Sequence, residues 1–134
     1  MRTLFDTPGL TIIHDPANKW LFATWRGEHD ETSSMAGCAM ILNKVRLTHC
    51  TAILNDSSQV LDGWSEIVRW IALEFFHALA DSGVVAIAWV TAKDWPARTD
   101  IERVLLYTTR PLVDTFSETE SAYSWLLSTA TKKP

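Results

Sequence analysis

The segment VVAIAWV at residues 84–90 is the feature that most restricts how this chain can fold. Its side chains are all apolar, which is typical of a strand that is covered on both faces inside an α/β sheet. Alternate positions also differ in size, because Val85, Ile87 and Trp89 are bulky whereas Ala86 and Ala88 leave the opposite face shallow. The segment therefore predicts an interior strand with a helix packed closely on its alanine face.

Strand and helix patterns alternate along the rest of the chain. Predicted strands lie at residues 10–14, 19–25, 50–55, 84–90 and 112–116, and predicted helices lie at about 30–45, 62–80, 100–108 and from 117 onward. The order is β-β-α-β-α-β-α-β-α. An Asp15-Pro16 turn makes the first two strands an antiparallel hairpin, and strands that alternate with helices form a parallel sheet with right-handed crossovers. We therefore expect a mixed, mostly parallel five-stranded α/β sheet with four helices and an antiparallel first strand at or near an edge.

The first predicted helix, which has Asp30 or Thr32 as its capping residue, carries a mostly apolar stripe. The stripe consists of Met35, Cys38, Ala39, Leu42, Val45 and Arg46. Gly37 interrupts the helix at a cost of roughly 1 kcal/mol relative to alanine. A glycine at this position therefore indicates close packing against a neighbouring element.

The helix predicted at 62–80 has the clearest amphipathic pattern. Its core stripe consists of Trp64, Ile67, Val68, Ile71, Phe75, Ala78 and Leu79. At about 100° per residue, Trp70, Leu73 and Phe76 fall on the far side of this helix. A contiguous exposed apolar patch with an indole indicates an interface, so these three residues form a predicted interface. A neighbouring helix of the same chain, a second copy in a homodimer, or a foreign partner could cover it.

Composition and charge restrict the class of protein. The 134 residues suit one domain over 1–134, with frayed ends at about 1–9 and 128–134. A net charge of −4 without a basic block argues against nucleic acid or an anionic membrane surface as a partner. No apolar run reaches the roughly 18 residues of a membrane span, and the N-terminus lacks a signal-peptide core. We therefore expect a cytoplasmic protein whose cysteines, Cys38 and Cys50, are reduced.

Several catalytic and cofactor motifs are absent from the sequence. The five glycines do not cluster, which excludes the dinucleotide fingerprint and the P-loop. There is no Gly-x-Ser-x-Gly elbow for a serine hydrolase, and the four histidines lack the spacing of a helical zinc site. We therefore expect no catalytic residue, no cofactor and no metal.

Polar residues follow three predicted parallel strands, at the carboxyl ends where open α/β sheets tend to bind ligands. The candidate binding residues at this rim are Arg26, Asp56, Ser57, Ser58, Lys93, Asp94, Trp95 and Arg98. Their mixed charges, hydroxyls and indole suit recognition of a polar group or of a partner loop. Aspartate and serine are also common at helix starts, so turn and capping chemistry is the alternative interpretation.

Three short segments resemble the STAS family, whose founding members are bacterial anti-sigma-factor antagonists. Gly-Glu-His-Asp-Glu-Thr at 27–32 is similar to the family's Gly-Glu-Leu-Asp-x-x-Thr entry into its first helix, with His29 in place of leucine. AWVTAKDWPAR at 88–98 and DTFSETESAYSWL at 114–126 resemble a branch of small bacterial STAS-like proteins, most of them without known function. The likeness covers about residues 10–127, and it implies a STAS-like fold in a non-enzymatic regulatory module.

The resemblance also bears on two adjacent serines. In family members that act as switches, a kinase phosphorylates the first or second serine of Asp-Ser-Ser-Gly at the start of the second helix. Asp-Ser-Ser at 56–58 matches three of these positions, but Gln59 replaces the glycine. If the helix start sets the alignment instead, Asp62 takes the place of the aspartate and Gly-Trp at 63–64 occupies the serine positions. We favour this second alignment, in which both serines are loop residues and the phosphoacceptor is lost.

The function expected from these features is a regulatory interaction module that binds a protein partner, with a homodimer as one form of that contact. The alternative is a carrier of small apolar ligands or lipids, like the related CRAL-TRIO domains, because seven tryptophans and five phenylalanines could line a pocket. An enzyme that uses Asp56, Lys93 or Asp94 is the third and weakest hypothesis.

Overall fold

The computed structural model describes residues 1–62, 67–92, 102, 105–106 and 110–130. The strands within these ranges are β1 (Arg2–Asp6), β2 (Leu10–Asp15), β3 (Trp20–Glu28), β4 (Ala52–Asp62), β5 (Ala86–Val90) and β6 (Leu112–Phe116). The helices within the same ranges are α1 (Glu31–Thr48), α2 (68–81) and α3 (Thr119–Ala130). The expected α/β class is confirmed, whereas the expected count of five strands and four helices is wrong.

The strands form one sheet in sequence order, from β1 at one edge to β6 at the other. The pairs β1–β2 and β2–β3 are antiparallel, and the pairs from β3 to β6 are parallel. The carboxyl ends of β3 to β6 therefore lie at the same end of the sheet. Strands β3 and β4 extend furthest there, because Glu28 pairs with Asp62 whereas β5 ends at Val90, opposite Asp56.

Helices cover the two faces of the sheet with different sets of core residues. On one face, the core contains Ile12, Ile53 and Ile87 from the strands and Cys38, Ile41, Val45, Ile71, Phe75 and Leu79 from α1 and α2. On the other face, α3 places Ala122 and Leu126 in a core with Ala86 and Ala88 of β5. The predicted shallow face of the segment 84–90 is therefore covered by a helix, and its strand lies in the sheet interior as expected. The strand begins only at Ala86, however, and Val85, which was predicted to lie on the bulky face, is 54% exposed.

Two differences from the expected elements concern strands. Residues 2–6, within the N-terminal stretch expected to be frayed, form β1 and pair with β2. Strand β4 runs to Asp62, well past the predicted end at 55, because its pairing with β3 continues as far as Glu28. Asp62 therefore ends a strand and does not begin the long helix.

The helices also differ from their expected limits. Helix α1 ends at Thr48 rather than at about 45, and α3 continues to Ala130, beyond the expected fraying at 128. The predicted helix at about 100–108 falls largely outside the described residues. No helix in the described part of the chain combines the length and the apolar character needed to cross a membrane.

Asp30, one of the two predicted capping residues, is the N-cap of α1. The Ser33 amide donates to Asp30 Oδ1 at 2.7 Å, and the Asp30 amide donates to Ser33 Oγ at 3.0 Å. This reciprocal pair satisfies two backbone donors at the helix start. The hydrogen bond that the Ser33 amide donates to the carboxylate is the largest of the causes that lower the pKa of Asp30. The segment between β3 and α1 is therefore held in one conformation at the carboxyl end of the sheet.

Helix α2 contains a π-helical turn at Ile71–Phe75, between two α-helical segments. The Phe76 amide donates to the Ile71 carbonyl, so this turn holds one residue more than an α-helical turn. Phe76 consequently lies above Ile71 and shares its buried face. Its side chain is 1% exposed and contacts Trp89 edge to face, with ring centroids 5.1 Å apart. The prediction that Phe76 belongs to an exposed interface is therefore wrong.

Gly37 lies where α1 crosses the indole of Trp25. A Cβ atom at this position would lie 2.3 Å from Trp25 Cη2 and 3.2 Å from Leu10 Cδ2. The first distance is far shorter than the carbon–carbon contact of about 3.5–4.0 Å. Only glycine therefore fits unless α1 moves away from β3, and the close packing predicted for Gly37 is confirmed.

Gly37→Ala is expected to lower the free energy of unfolding by about 1–3 kcal/mol, because overpacking a buried contact costs that much. Helix propensity alone predicts the opposite sign, a gain of about 1 kcal/mol. Urea denaturation distinguishes the two. As a matched test, the same substitution in a Trp25→Phe background should cost less, because the clashing ring atoms are missing there. A Gly37→Ala protein more stable than wild type would contradict the packing.

Candidate functional site

The four predicted rim residues that the structure describes, Arg26, Asp56, Ser57 and Ser58, fall on two faces of the sheet. On the α3 side, Arg26 Nη1 donates to Thr11 Oγ1 at 3.0 Å, and Thr11 Oγ1 donates to Asp6 Oδ1 at 2.9 Å. These contacts cross β3, β2 and β1. The Arg26 guanidinium therefore stabilises the antiparallel part of the sheet.

Asp56 and Ser58 lie on the same side of the sheet, in the neighbouring strand β4. Asp56 pairs with Thr24 of β3 and with Val90 of β5. Its Oδ1 accepts hydrogen bonds from the Ser58 amide at 2.9 Å and from Ser58 Oγ at 2.6 Å. Arg26, Asp56 and Ser58 thus share one surface, but the carboxylate is bonded to the serine and the guanidinium to a threonine.

Ser57 faces the opposite side of β4 and is 4% exposed. Its Oγ accepts a hydrogen bond from Trp89 Nε1 at 2.7 Å and donates one to the Val90 carbonyl at 3.1 Å. Two residues earlier, Asn55 Oδ1 accepts from Trp25 Nε1 at 2.8 Å. Two indole N–H groups in the core therefore donate hydrogen bonds to polar side chains of β4, and the Ser57 hydroxyl has a structural role.

These positions correct the interpretation of the serines. Ser57 and Ser58 are strand residues inside β4, not loop residues. Because the Ser57 hydroxyl is enclosed and already bonded to two groups, its phosphorylation would require local unfolding. The helix-anchored alignment at 63–64 lies outside the described residues. The same is true of four of the candidate rim residues: Lys93, Asp94, Trp95 and Arg98.

Ser57→Ala is expected to lower the free energy of unfolding by about 1–3 kcal/mol, because it leaves the buried Trp89 Nε1–H without this acceptor. Ser58→Ala is the matched control on the adjacent residue. Its hydroxyl is only partly buried, so the expected loss is about 1 kcal/mol or less. Urea denaturation of both variants gives the comparison, and equal losses would contradict the different roles of the two hydroxyls.

A second candidate site is an apolar groove between α1 and α2. It is lined by Met35, Cys38, Ala39 and Leu42 of α1 and by Trp70, Phe75 and Ala78 of α2, and we call it the α1–α2 groove. Its volume is 270 Å³. The predicted stripe of α1 is thus divided, because Cys38 and Val45 are buried in the core whereas Met35 and Ala39 border the groove at the surface.

The indole of Trp70 forms part of the α1–α2 groove and is partly exposed. Its ring stacks on Phe75, with 6.3 Å between ring centroids and 4° between ring planes. Leu73 in the same helix is 44% exposed, and Met35 on α1 is 39% exposed. Of the three residues predicted to form an interface, Trp70 and Leu73 therefore reach the surface while Phe76 lies in the core.

The two cysteines are buried and free. Burial raises the pKa of the Cys38 thiol, so at neutral pH its sulfur is an apolar part of the groove wall rather than a nucleophile. Burial also raises the pKa of Cys50. Across the described residues, no three His, Cys, Asp or Glu side chains converge in an arrangement that could hold a metal ion.

His29 is a buried residue whose role the sequence did not reveal. Nε2 lies 2.9 Å from the Arg26 carbonyl and 3.1 Å from the Gly9 carbonyl; because both carbonyls are acceptors, Nε2 carries the proton. Nδ1 lies 3.1 Å from Ser33 Oγ. His29 thus joins β2, β3 and the first turn of α1. In the sequence, this role was indicated only by the histidine itself, which stands where the STAS motif has leucine.

Comparison of the chain with protein-family models and with curated proteins finds no match. Its function must therefore be inferred from its own geometry. Among the described residues, the hydroxyls and carboxylates of the rim are bonded within the sheet, whereas the α1–α2 groove presents apolar side chains to the surface.

Proposed function

We propose that this protein is a non-enzymatic interaction module with a STAS-like fold, which acts in regulation by binding another protein. The proposed contact surface is the α1–α2 groove. The observation that carries the proposal is the partly exposed Trp70 indole in the wall of this apolar groove. Leu73, three residues further along α2, is also exposed. An exposed apolar groove that contains an indole is typical of protein–protein contacts.

Trp70 suits the role of an anchor for a partner. Tryptophan is enriched among the few residues that supply most of the binding free energy at protein interfaces. The stacking on Phe75 already holds its ring, so little side-chain freedom is lost when a partner binds. An indole exposed to water is unfavourable, and binding of a partner would remove this cost by burying the ring.

The π turn of α2 supports the same surface. Single π turns inside α-helices occur frequently at functional sites. At this turn Phe75 stacks on Trp70 in the groove wall, and Phe76 packs on Trp89 in the core.

Two further observations support a regulatory module over an enzyme. Of the three residues considered for catalysis, Asp56 is the one within the described residues. Its carboxylate accepts two hydrogen bonds from Ser58 and so stabilises the conformation of β4. The segment 27–32 leads into α1 with Asp30 as its N-cap, which agrees with the STAS-like entry into a first helix.

The two free, buried cysteines suit a reducing compartment, so we propose that the protein acts in the cytoplasm.

Photo-crosslinking from position 73 tests the proposed contact. Leu73 is replaced by p-benzoylphenylalanine, and the protein is irradiated in its native host. The matched control carries the same residue at Leu127 of α3, which is 41% exposed compared with 44% for Leu73 but lies on a helix of the other sheet face. We expect one defined adduct from position 73 and none of that mass from position 127. Adducts of identical pattern from both positions would contradict a groove-specific contact.

Once the partner is identified, Trp70→Ala is expected to weaken its binding by about thirtyfold or more, as for an interface residue worth at least 2 kcal/mol. Titration calorimetry measures the change, and circular dichroism confirms that the variant is folded. Leu127→Ala should leave the affinity unchanged. A Trp70→Ala variant that is folded and binds as tightly as wild type would exclude the indole as the anchor.

We expect the free protein to sediment as a monomer at micromolar concentration. The burial of Phe76 removes one of the three residues predicted to form the interface, and the contact proposed for the groove is with a different protein. Sedimentation velocity measures the mass. A dimer that Leu73→Glu dissociates without unfolding would assign the groove to self-association instead of a foreign partner.

A further inference from the structure

A separate pocket lies between the N-terminal hairpin and α1, away from the α1–α2 groove. Its walls include Phe5, Leu10 and Trp25 from the sheet, His29 at the start of the connection to α1, and Ala36 and Met40 from α1. We call it the hairpin pocket. Its volume is 320 Å³, which is within the range of small-molecule sites.

The walls of the hairpin pocket are held rigidly before any ligand arrives. The indole of Trp25 is fixed at one end by its hydrogen bond to Asn55 and in its plane by the close approach of Gly37. The ring of His29 is fixed by the Arg26 and Gly9 carbonyls, and it meets the Trp25 ring edge to face at 5.3 Å. A preformed pocket loses little conformational entropy on binding, which favours affinity.

The polar groups of the pocket are bonded within the protein, which restricts the chemistry of the ligand. Thr7 Oγ1 donates to the Leu10 carbonyl and accepts from the Leu10 amide, both at 3.1 Å. Ser33 Oγ accepts from the Asp30 amide and lies 3.1 Å from His29 Nδ1. A charged ligand would lose its hydration without gaining a partner here. A neutral, mostly apolar ligand avoids that penalty.

Size and wall chemistry define the ligand further. A closed apolar cavity of about 150 Å³ holds a benzene molecule, so the hairpin pocket, which has 320 Å³ and is open to solvent on one side, has room for one or two rings. Its indole, phenyl and imidazole walls suit edge-to-face and stacked contacts with an aromatic ring. We propose that the hairpin pocket binds a small, neutral aromatic molecule of one or two rings. This site is independent of the protein contact proposed for the α1–α2 groove.

Two-dimensional ¹H–¹⁵N NMR with indole as the probe tests the proposal. Saturable shifts are expected for the Gly9 and Gly37 amides and for Trp25 Nε1–H, with a dissociation constant of about 1 mM or below. Benzoate, a charged single-ring molecule, should leave these resonances unchanged at the same concentration. Shifts confined to Met35, Leu42 and Trp70 would place indole in the α1–α2 groove and overturn the assignment. Equal responses to benzoate and indole would also overturn it.

A matched pair of substitutions on α1 locates the site. Ala36→Leu adds a side chain at the mouth of the hairpin pocket, whereas Ala39→Leu adds the same side chain beside the α1–α2 groove. Both positions are exposed, and leucine is nearly as good a helix former as alanine, so both variants should fold. We expect Ala36→Leu to weaken indole binding at least tenfold and Ala39→Leu to change it less than twofold.

Ala36→Met repeats the test with an unbranched side chain, and amide spectra confirm the fold of each variant. The absence of saturable shifts in the wild-type protein at millimolar indole would exclude the site. Unchanged affinity in both position-36 variants would do the same. Neither result would bear on the photo-crosslinking from position 73, so the two proposals fail separately.

Discussion

The contact between Trp25 and α1 is the interaction on which the rest of the structure depends. The outer ring atoms of the indole lie so close to Gly37 that a single Cβ atom would collide with them, so this contact limits how closely α1 and β3 approach each other. Its Nε1 is bonded to Asn55 in β4, and its edge contacts His29. One side chain therefore connects the helix layer, two parallel strands and the capped entry of α1.

Buried polar groups in the middle of β4 give this core its specificity. Asn55 and Ser57 interrupt an otherwise apolar face, yet each accepts a hydrogen bond from an indole of a neighbouring strand. A buried N–H without an acceptor costs about 1–3 kcal/mol. Any slip of β4 relative to β3 or β5 would separate these donors from their acceptors, so the pairs favour one register. The polar sequence that predicted a loop here therefore includes residues of the core.

The π turn of α2 separates two roles that would otherwise compete on one helix face. By adding one residue, it brings Phe76 onto the buried side with Ile71 and leaves Leu73 at the surface. The Trp70–Phe75 stack then forms a wall of the α1–α2 groove. Together with the hairpin pocket on the other side of α1, this gives the protein two apolar concave surfaces. The groove has a volume of 270 Å³ and is bordered by the Trp70–Phe75 stack, whereas the hairpin pocket has a volume of 320 Å³ and is bordered by Trp25 and His29.

The sequence by itself determined the features that depend on local pattern. The apolar run at 84–90 predicted an interior strand with a shallow alanine face, Gly37 predicted close packing, and Asp30 was one of two predicted caps for α1. These succeed because alternation, propensity and capping act between residues close in the chain. The tertiary structure decided what depends on distant partners. Strand β4 extends through Ser57 only because the indole of Trp89 and the end of β3 are there to bond it. Phe76 is buried because α2 contains a π turn and so departs from the 3.6-residue period. A helical wheel drawn from the sequence assumes that period throughout and therefore places Phe76 on the wrong face.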